Sequence, residues 1–248
     1  MADKNIFSRV EIKYLLTLSQ RDELLELMKN RMVKDPHGRS TIRNIYYDTE
    51  SFILARRSIE KPVYKEKLRV RSYTSSSLDE PVYVELKKKC KKTVFKRRII
   101  VPQKDALNFL SGSELPEDEF DKPESKPSDK QIAKEIKYFR DIYKTLRPVV
   151  FLSYDRQACF DKEDKDFRIT FDTNIRYRTT DLSLEYEPGG ELLLDPDKTI
   201  MEIKLVGGMP LWLSRFLSDK QIFKASFSKY GNAYKDMLEK GVIKIGSI

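Results

Sequence analysis

Residues 5–16 (NIFSRVEIKYLL) alternate between charged and apolar side chains, with Arg9, Glu11 and Lys13 on one side and Val10, Ile12 and Tyr14 on the other. Successive side chains of an extended strand point to opposite faces, so this period of two predicts a strand with one charged face. The spacing then changes. Ser19 can cap a helix with Asp22 and Glu23 in its first turn and Leu24, Leu25, Leu27 and Met28 on an apolar side. Lys29 and Arg31 close it where basic groups suit the helix dipole. A short strand is predicted at 41–47, followed by a turn of helix. Further strands are predicted at 64–73, 81–89, 94–101, 149–160, 167–174 and 199–206, rich in Val, Ile, Tyr and Phe.

Residues 111–129 are acidic and polar and contain Pro116, Pro123 and Pro127, which predicts a mobile loop. The next run, 130–145, spaces Ile132, Ile136, Phe139, Ile142 and Tyr143 as a helix does. A second polar stretch, 179–198, reads as a long hairpin or an ordered loop, and short helices are predicted at 211–217 and 229–240. Many strands with a few peripheral helices predict an α+β protein built on an antiparallel β-barrel, as a single domain over 1–248.

The polar faces of these strands are unusual. Lys65, Lys67, Arg69 and Arg71 share one face against Leu68 and Val70, and Glu85, Lys87 and Lys89 lie opposite Val82, Val84 and Leu86. Lys96 and Arg98 oppose Phe95, Ile99 and Val101, while Tyr154 and Arg156 share a face. Arg168, Thr170 and Asp172 oppose Phe167, Ile169 and Phe171, and Glu202 and Lys204 oppose Met201, Ile203 and Leu205. One such face is ordinarily a solvated outer surface. Several of them converging repel one another unless an anion neutralises them, which points to a polyanionic ligand.

Composition sharpens this. The 248 residues hold 48 Lys and Arg against 39 Asp and Glu, a formal charge of +9, in a chain that is 35% charged. The single His37, in an Asp-Pro-His-Gly turn, excludes chemistry that needs several histidines and is given no role. Cys90 and Cys159 have no paired spacing, which argues against a disulfide framework or a cysteine zinc site and for a reducing compartment. No apolar leader or run of about 18–20 apolar residues appears, so a cytoplasmic protein without a membrane segment is expected. Nucleotide-loop, zinc-finger and RNA-binding motifs are absent, and Tyr64, Tyr73 and Tyr83 suit cross-strand packing better than base stacking, so no nucleic-acid partner is expected.

In chain order, Glu11-Ile-Lys13-Tyr14, Leu68-Arg69-Val-Arg71-Ser-Tyr73, Val84-Glu85-Leu-Lys87, Lys96 in Val-Phe-Lys-Arg and Ser153-Tyr154-Asp-Arg156 form a set. Phe167-Arg168-Ile-Thr-Phe-Asp172, Met201-Glu202-Ile-Lys204 and Phe227-Ser228-Lys229-Tyr230 complete it. Together they resemble the polyphosphate polymerase (VTC) domain of the triphosphate tunnel metalloenzyme, or CYTH-like, superfamily, over roughly residues 5–235. The resemblance implies a barrel whose basic lining holds a triphosphate or polyphosphate chain. It assigns a catalytic lining to Lys13, Arg69, Arg71, Lys87, Lys96, Arg156, Arg168, Lys204 and Lys229, and substrate contacts to Tyr154, Ser228, Lys67 and Arg98. Glu202 is the implied main ligand of Mn²⁺ or Mg²⁺, with Glu11 and Glu85 as helpers. The implied activity is ATP-dependent synthesis of polyphosphate from a phosphate or pyrophosphate primer. The alternatives are hydrolysis of tripolyphosphate or nucleoside triphosphates, and non-catalytic polyphosphate binding.

Two departures bear on this. A single Glu precedes Lys13 where the family's hydrolases carry ExExK, which favours the polymerase branch, and Ser226 stands where polymerase-like sequences often carry Lys, with Lys224 as its substitute. No appended phosphate-sensing domain is recognised, so a stand-alone catalytic domain is expected.

Overall fold

The computed structural model describes residues 10–244, apart from 61, 75–76, 92 and 124 and the side chains of Pro36 and His37. Arg9, predicted on the first strand, and the side chain of His37 lie outside the described residues. In chain order the elements are β1 (Val10–Thr17), α1 (Leu18–Met28), β2 (Met32–Asp48), α2 (Ile53–Glu60), β3 (Tyr64–Ser72), β4 (Pro81–Cys90) and β5 (Thr93–Pro102). Then follow α3 (Gln103–Leu110), a 3₁₀ turn at Glu117–Phe120, α4 (Asp129–Ile142), β6 (Arg147–Asp161), β7 (Arg168–Arg178), β8 (Glu191–Leu192), β9 (Lys198–Leu205), α5 (Leu211–Asp219) and α6 (Lys229–Glu239).

The strands form one sheet in the order β1-β9-β7-β6-β2-β3-β4-β5, with β8 on β7. The β1–β9, β7–β9, β2–β3, β3–β4, β4–β5 and β7–β8 pairings are antiparallel. This corrects the expected barrel: the sheet is open. A barrel needs every edge paired, whereas the outer edge of β1 is taken by a short connecting segment. Tyr14 forms an isolated bridge with Lys224, and the Ala225 N–H donates to the Lys13 carbonyl at 2.7 Å.

The chain divides into two compact units, and β2, β6 and β7 contribute residues to both. One unit comprises the described residues of Met1–Thr41, Tyr154–Ile175 and Leu194–Phe227. Its core joins Tyr14 and Leu16 of β1, Ile169 and Phe171 of β7 and Met201, Ile203 and Leu205 of β9 with Leu24 and Met28 of α1 and Leu213 and Leu217 of α5. Thr17, and not Ser19, caps α1. Its hydroxyl accepts the Gln20 N–H at 3.1 Å while the Gln20 side chain accepts the Thr17 N–H at 3.0 Å, so Thr17-x-x-Gln20 is the capping box that ends the strand and starts the helix.

The other unit comprises the described residues of Ile42–Ser153, Arg176–Leu193 and Ser228–Ile248. Here Ile45, Leu68, Val70, Val82, Val84, Leu86, Ile99 and Val101 bury one sheet face against Ala106, Phe109 and Leu110 of α3 and Ala133, Ile136 and Phe139 of α4. The strand reading passes over α3, although the spacing of Ala106, Phe109 and Leu110 fits one helix face directly after Pro102. Within 111–129, Leu115 is buried and Phe120 packs against this core.

Candidate anion-binding clusters

Strand parity places Leu68, Val70, Val82, Val84, Leu86, Ile99 and Val101 on the core face and Lys67, Arg69, Arg71, Glu85, Lys87, Lys96 and Arg98 on the other, and the register sets who meets whom. Lys67, Lys87 and Lys96 lie abreast on β3, β4 and β5, and one step along Arg69, Glu85 and Arg98 do the same. Glu85 is 2% exposed and gathers the surrounding cations. Arg69 donates to its Oε2 through Nε at 2.9 Å and Nη2 at 2.7 Å, Lys96 Nζ lies 2.5 Å from Oε1, and Arg71 and Arg98 stand at 3.7 and 3.8 Å. Burial on its own raises the Glu85 carboxyl, but Arg69, Arg71 and Lys96 outweigh it and hold the group far below the ordinary carboxylate range. Burial, with Arg98 and Arg69 nearby, lowers the Lys96 ammonium in spite of Glu85.

Neighbouring β2 supports the arginines. Arg71 Nε donates to Asn44 Oδ1 at 2.9 Å and Arg69 Nη1 to the Tyr46 hydroxyl at 3.0 Å. Tyr46 stacks on Tyr230 of α6, centroids 4.6 Å apart and planes 8° from parallel, and the Tyr230 hydroxyl donates to the buried Asp48 at 2.6 Å. Burial raises the Tyr46 phenol, yet the fields of Arg69, Arg71 and Lys229 prevail and lower it. Lys67 Nζ donates to Ser228 Oγ at 2.9 Å, and the same oxygen caps α6 by accepting the Gly231 N–H at 3.0 Å.

In the other unit β1, β9 and β7 carry an equivalent face. Lys13, Glu202 and Thr170 lie abreast, as do Glu11, Lys204 and Arg168. Lys13 Nζ stands 3.1 Å from Glu202 Oε1 and 3.7 Å from Glu11 Oε1, and it donates to the Phe227 carbonyl at 3.2 Å. Arg156 forks onto Asp172 with two bonds of 2.6 Å and reaches Glu202 Oε2 at 3.2 Å, its guanidinium over the buried Tyr154 ring. Lys204 Nζ is 4.0 Å from Glu11, and Arg168 is 3.6 Å from Asp35. Burial, together with Arg156 and Arg168, lowers the Lys204 ammonium against the pull of Glu11 and Glu202.

The residues singled out from sequence thus fall into two groups. Arg69, Arg71, Lys96, Arg98 and Glu85 come together in one unit, where Lys67 joins Ser228, Lys87 stands in the lysine row and Lys229 opens α6. Lys13, Arg156, Lys204, Glu11 and Glu202 come together in the other, with Arg168 turned toward Asp35. Sequence reading missed Asn44, Tyr46, Asp48 and Asp35 and gave Asp172 no role. Parity along 41–47 pairs Asn44 with Tyr46 on one face, the only signal for them.

A hard divalent cation needs oxygen donors. Glu85 does not fit it, because its oxygens face Arg69, Arg71, Lys96 and Arg98. Glu202 and Glu11 are the carboxylates left: Glu202 faces Lys13 and Arg156 and Glu11 faces Lys13 and Lys204, so a cation there would compete with those ion pairs, while Thr170 in the Glu202 row holds a buried hydroxyl oxygen without a hydrogen-bond partner. Among the described residues no cluster of three or more Asp, Glu, His or Cys side chains forms a metal cage, so further ligands have to come from substrate or water.

These features define an α+β protein whose open antiparallel sheet carries arginine-lysine-carboxylate clusters. Its fold is that of a proposed adenylate cyclase from Bacillus halodurans, with a TM-score of 0.51 at 14% identity over 89% of this chain and 95% of that one. A proposed adenylyl cyclase from Hippeastrum, described as having a dominant triphosphatase activity, gives 0.47 at 15% identity over 94% and 96%. A proposed adenylate cyclase from Vibrio parahaemolyticus gives 0.47 at 14% over 93% and 97%. The VTC domain matches residues 8–238, and the chain belongs to that family. Curated protein sequences give no match.

Proposed function

We propose that the protein binds triphosphate-type polyanions and uses ATP to extend inorganic polyphosphate. Membership of the VTC family supports the substrate class, and one observation carries the reading: Lys67, Lys87 and Lys96 stand abreast on three adjacent strands. Like charges directly opposite on a sheet are destabilising, and an anion laid across them removes the penalty. Arg71 is buried and Arg69 partly buried, both held in place by Glu85 and by β2, and Arg forks suit equatorial phosphate oxygens.

Phosphoryl transfer asks for alignment and charge neutralisation more than for covalent help. A terminal phosphate oxygen of the primer, anionic at neutral pH, attacks the γ-phosphorus. The bond from that phosphorus to the β–γ bridging oxygen breaks, and ADP leaves with the electron pair. No proton has to be removed from the nucleophile. Arg69, Arg71, Lys96 and Arg98 neutralise the transferring group, and Lys67, held by Ser228, guides the chain. In the other unit Glu202 and Glu11 would hold Mn²⁺ or Mg²⁺, and the ion would supply charge neutralisation to phosphate oxygens bound there.

Purified protein given ATP, Mn²⁺ and pyrophosphate is expected to yield ADP and long polymer. Free phosphate as the main product, from ATP or from tripolyphosphate, would assign it to hydrolysis, and neither product would reduce it to a binding module. Arg69→Ala should lower kcat/KM by about 30- to 1,000-fold, the ~2–4 kcal/mol scale of losing one preorganised donor. A change below threefold would remove Arg69 from the site. Glu202→Gln should weaken Mn²⁺ binding, read by calorimetry, while tripolyphosphate binding without metal persists or strengthens. Unchanged Mn²⁺ affinity would discard the assignment of Glu202.

A further inference from the structure

The hairpin formed by β4 and β5 extends beyond the core that anchors it. Its far end combines two features that a soluble surface ordinarily keeps apart. Four large apolar side chains are open to solvent there: Val63 at 65%, Tyr64 at 42%, Val94 at 47% and Phe95 at 45%. They belong to one tip, because the Lys91 N–H at the hairpin apex donates to the Val63 carbonyl at 2.7 Å and Tyr64 lies opposite Cys90, which in turn lies opposite Thr93. Lysines surround them. Val94 lies opposite Lys89 and Phe95 opposite Lys88, so an apolar residue and a lysine share each rung on both faces of the hairpin.

The charges at this end are not all neutralised within the fold. Glu135 of α4 takes Lys88 and Arg97, at 3.6 and 3.0 Å. Lys89 and Lys91 have no carboxylate within ion-pair distance among the described residues. A nucleic acid or a free polyphosphate chain rewards lysines and stacks on aromatic faces, but it offers nothing to two exposed valines. An anionic lipid surface rewards both, since lysines meet the headgroup charge while short apolar side chains and aromatic rings enter the boundary beneath. We propose that this hairpin tip is a docking element for an anionic membrane surface. No described helix is long and apolar enough to cross a membrane.

Sedimentation with vesicles tests this on the intact chain. The protein should pellet with vesicles of phosphatidylcholine mixed with phosphatidylglycerol and stay in solution with phosphatidylcholine alone. K89E/K91E should weaken binding by more than about fivefold per lysine, the equivalent of ~1 kcal/mol for each charge near the surface. V94S/F95S should weaken it too, although its charge is unchanged. In F95W the added indole emission should move to the blue and be quenched by brominated lipid on mixed vesicles only. Turnover of ATP or tripolyphosphate in vesicle-free solution should be unaltered in V94S/F95S, so the docking proposal and the proposed activity fail separately. Failure of the wild type to pellet with mixed vesicles, or full retention by V94S/F95S, would overturn the proposal. So would an RNA oligonucleotide whose binding is lost in V94S/F95S while vesicle binding persists.

Discussion

Glu85→Ala should lower the stability of the unliganded protein by about 3–5 kcal/mol, the scale of stranding buried charges by deleting their partner. In thermal unfolding this is a fall of roughly 6–20 °C in the midpoint. The deletion leaves Arg69, Arg71, Lys96 and Arg98 facing one another around a cavity. Tripolyphosphate should then restore more stability to the variant than it adds to the wild type, because the ligand replaces the lost counter-charge as well as binding. The pH dependence has a definite sign. The Glu85 carboxyl is held below its unfolded value, so its contribution is complete above the ordinary carboxylate range and is lost as pH falls toward the folded value. The acid limb of the wild-type stability curve should therefore be steeper than that of Glu85→Ala. Equal midpoints and equal acid limbs would show that Glu85 is not the counter-ion of this cluster.

Asp48→Ala should be comparably costly for a different reason. This carboxylate is fully buried and accepts the Thr49 N–H at 2.7 Å, the Leu54 N–H at 3.0 Å, the Ala55 N–H at 2.8 Å and the Tyr230 hydroxyl. The truncation leaves the Thr49, Leu54 and Ala55 N–H groups and a phenol without acceptors, at ~1–3 kcal/mol for each unsatisfied donor, so a loss of at least about 4 kcal/mol is expected in denaturant unfolding. Asp48→Asn keeps one acceptor oxygen and should lose roughly half as much. The chain from Asp48 through Tyr230 and Tyr46 ends on Arg69, so Asp48→Asn should also weaken tripolyphosphate binding at a temperature where the variant is fully folded. Undiminished affinity would separate this stack from the arginine it touches.

Much of the sheet was legible because its signal is local. Alternation in Val82-Tyr83-Val84-Glu85-Leu86-Lys87 fixes which side chains share a face, and the core of Val82, Val84 and Leu86 follows directly. The charged faces of β1, β3, β4, β5, β7 and β9 were readable on the same ground. What alternation does not contain is register across strands. That Glu85 is registered opposite Arg69 and Arg98, with Lys67 and Lys96 in the next row, depends on where the turns fall, so the counter-ion role of Glu85 and the fork of Arg156 on Asp172 emerge only once the strands are paired. The barrel expectation failed for a related reason. Strand content predicts a sheet, but whether its edges meet is decided by segments such as the one at Lys224 and Ala225, whose sequence has no strand pattern. The start of α1 was misplaced by two residues because Ser19 and Thr17 are both good caps, and only Thr17 has a Gln three positions later.

In β1, β9 and β7 the same period of two that buries Tyr14, Met201 and Phe171 turns Lys13, Glu202 and Thr170 to the opposite face. A one-residue insertion or deletion inside any of these strands would exchange the two faces beyond that point, sending lysines into the core and apolar groups into the cluster. Point substitutions can erode binding and stability separately, but length changes within these strands cannot. A substitution on the charged face therefore costs what that one side chain contributes, whereas a change of strand length costs the whole cluster, so insertions are tolerable only in the connections between strands.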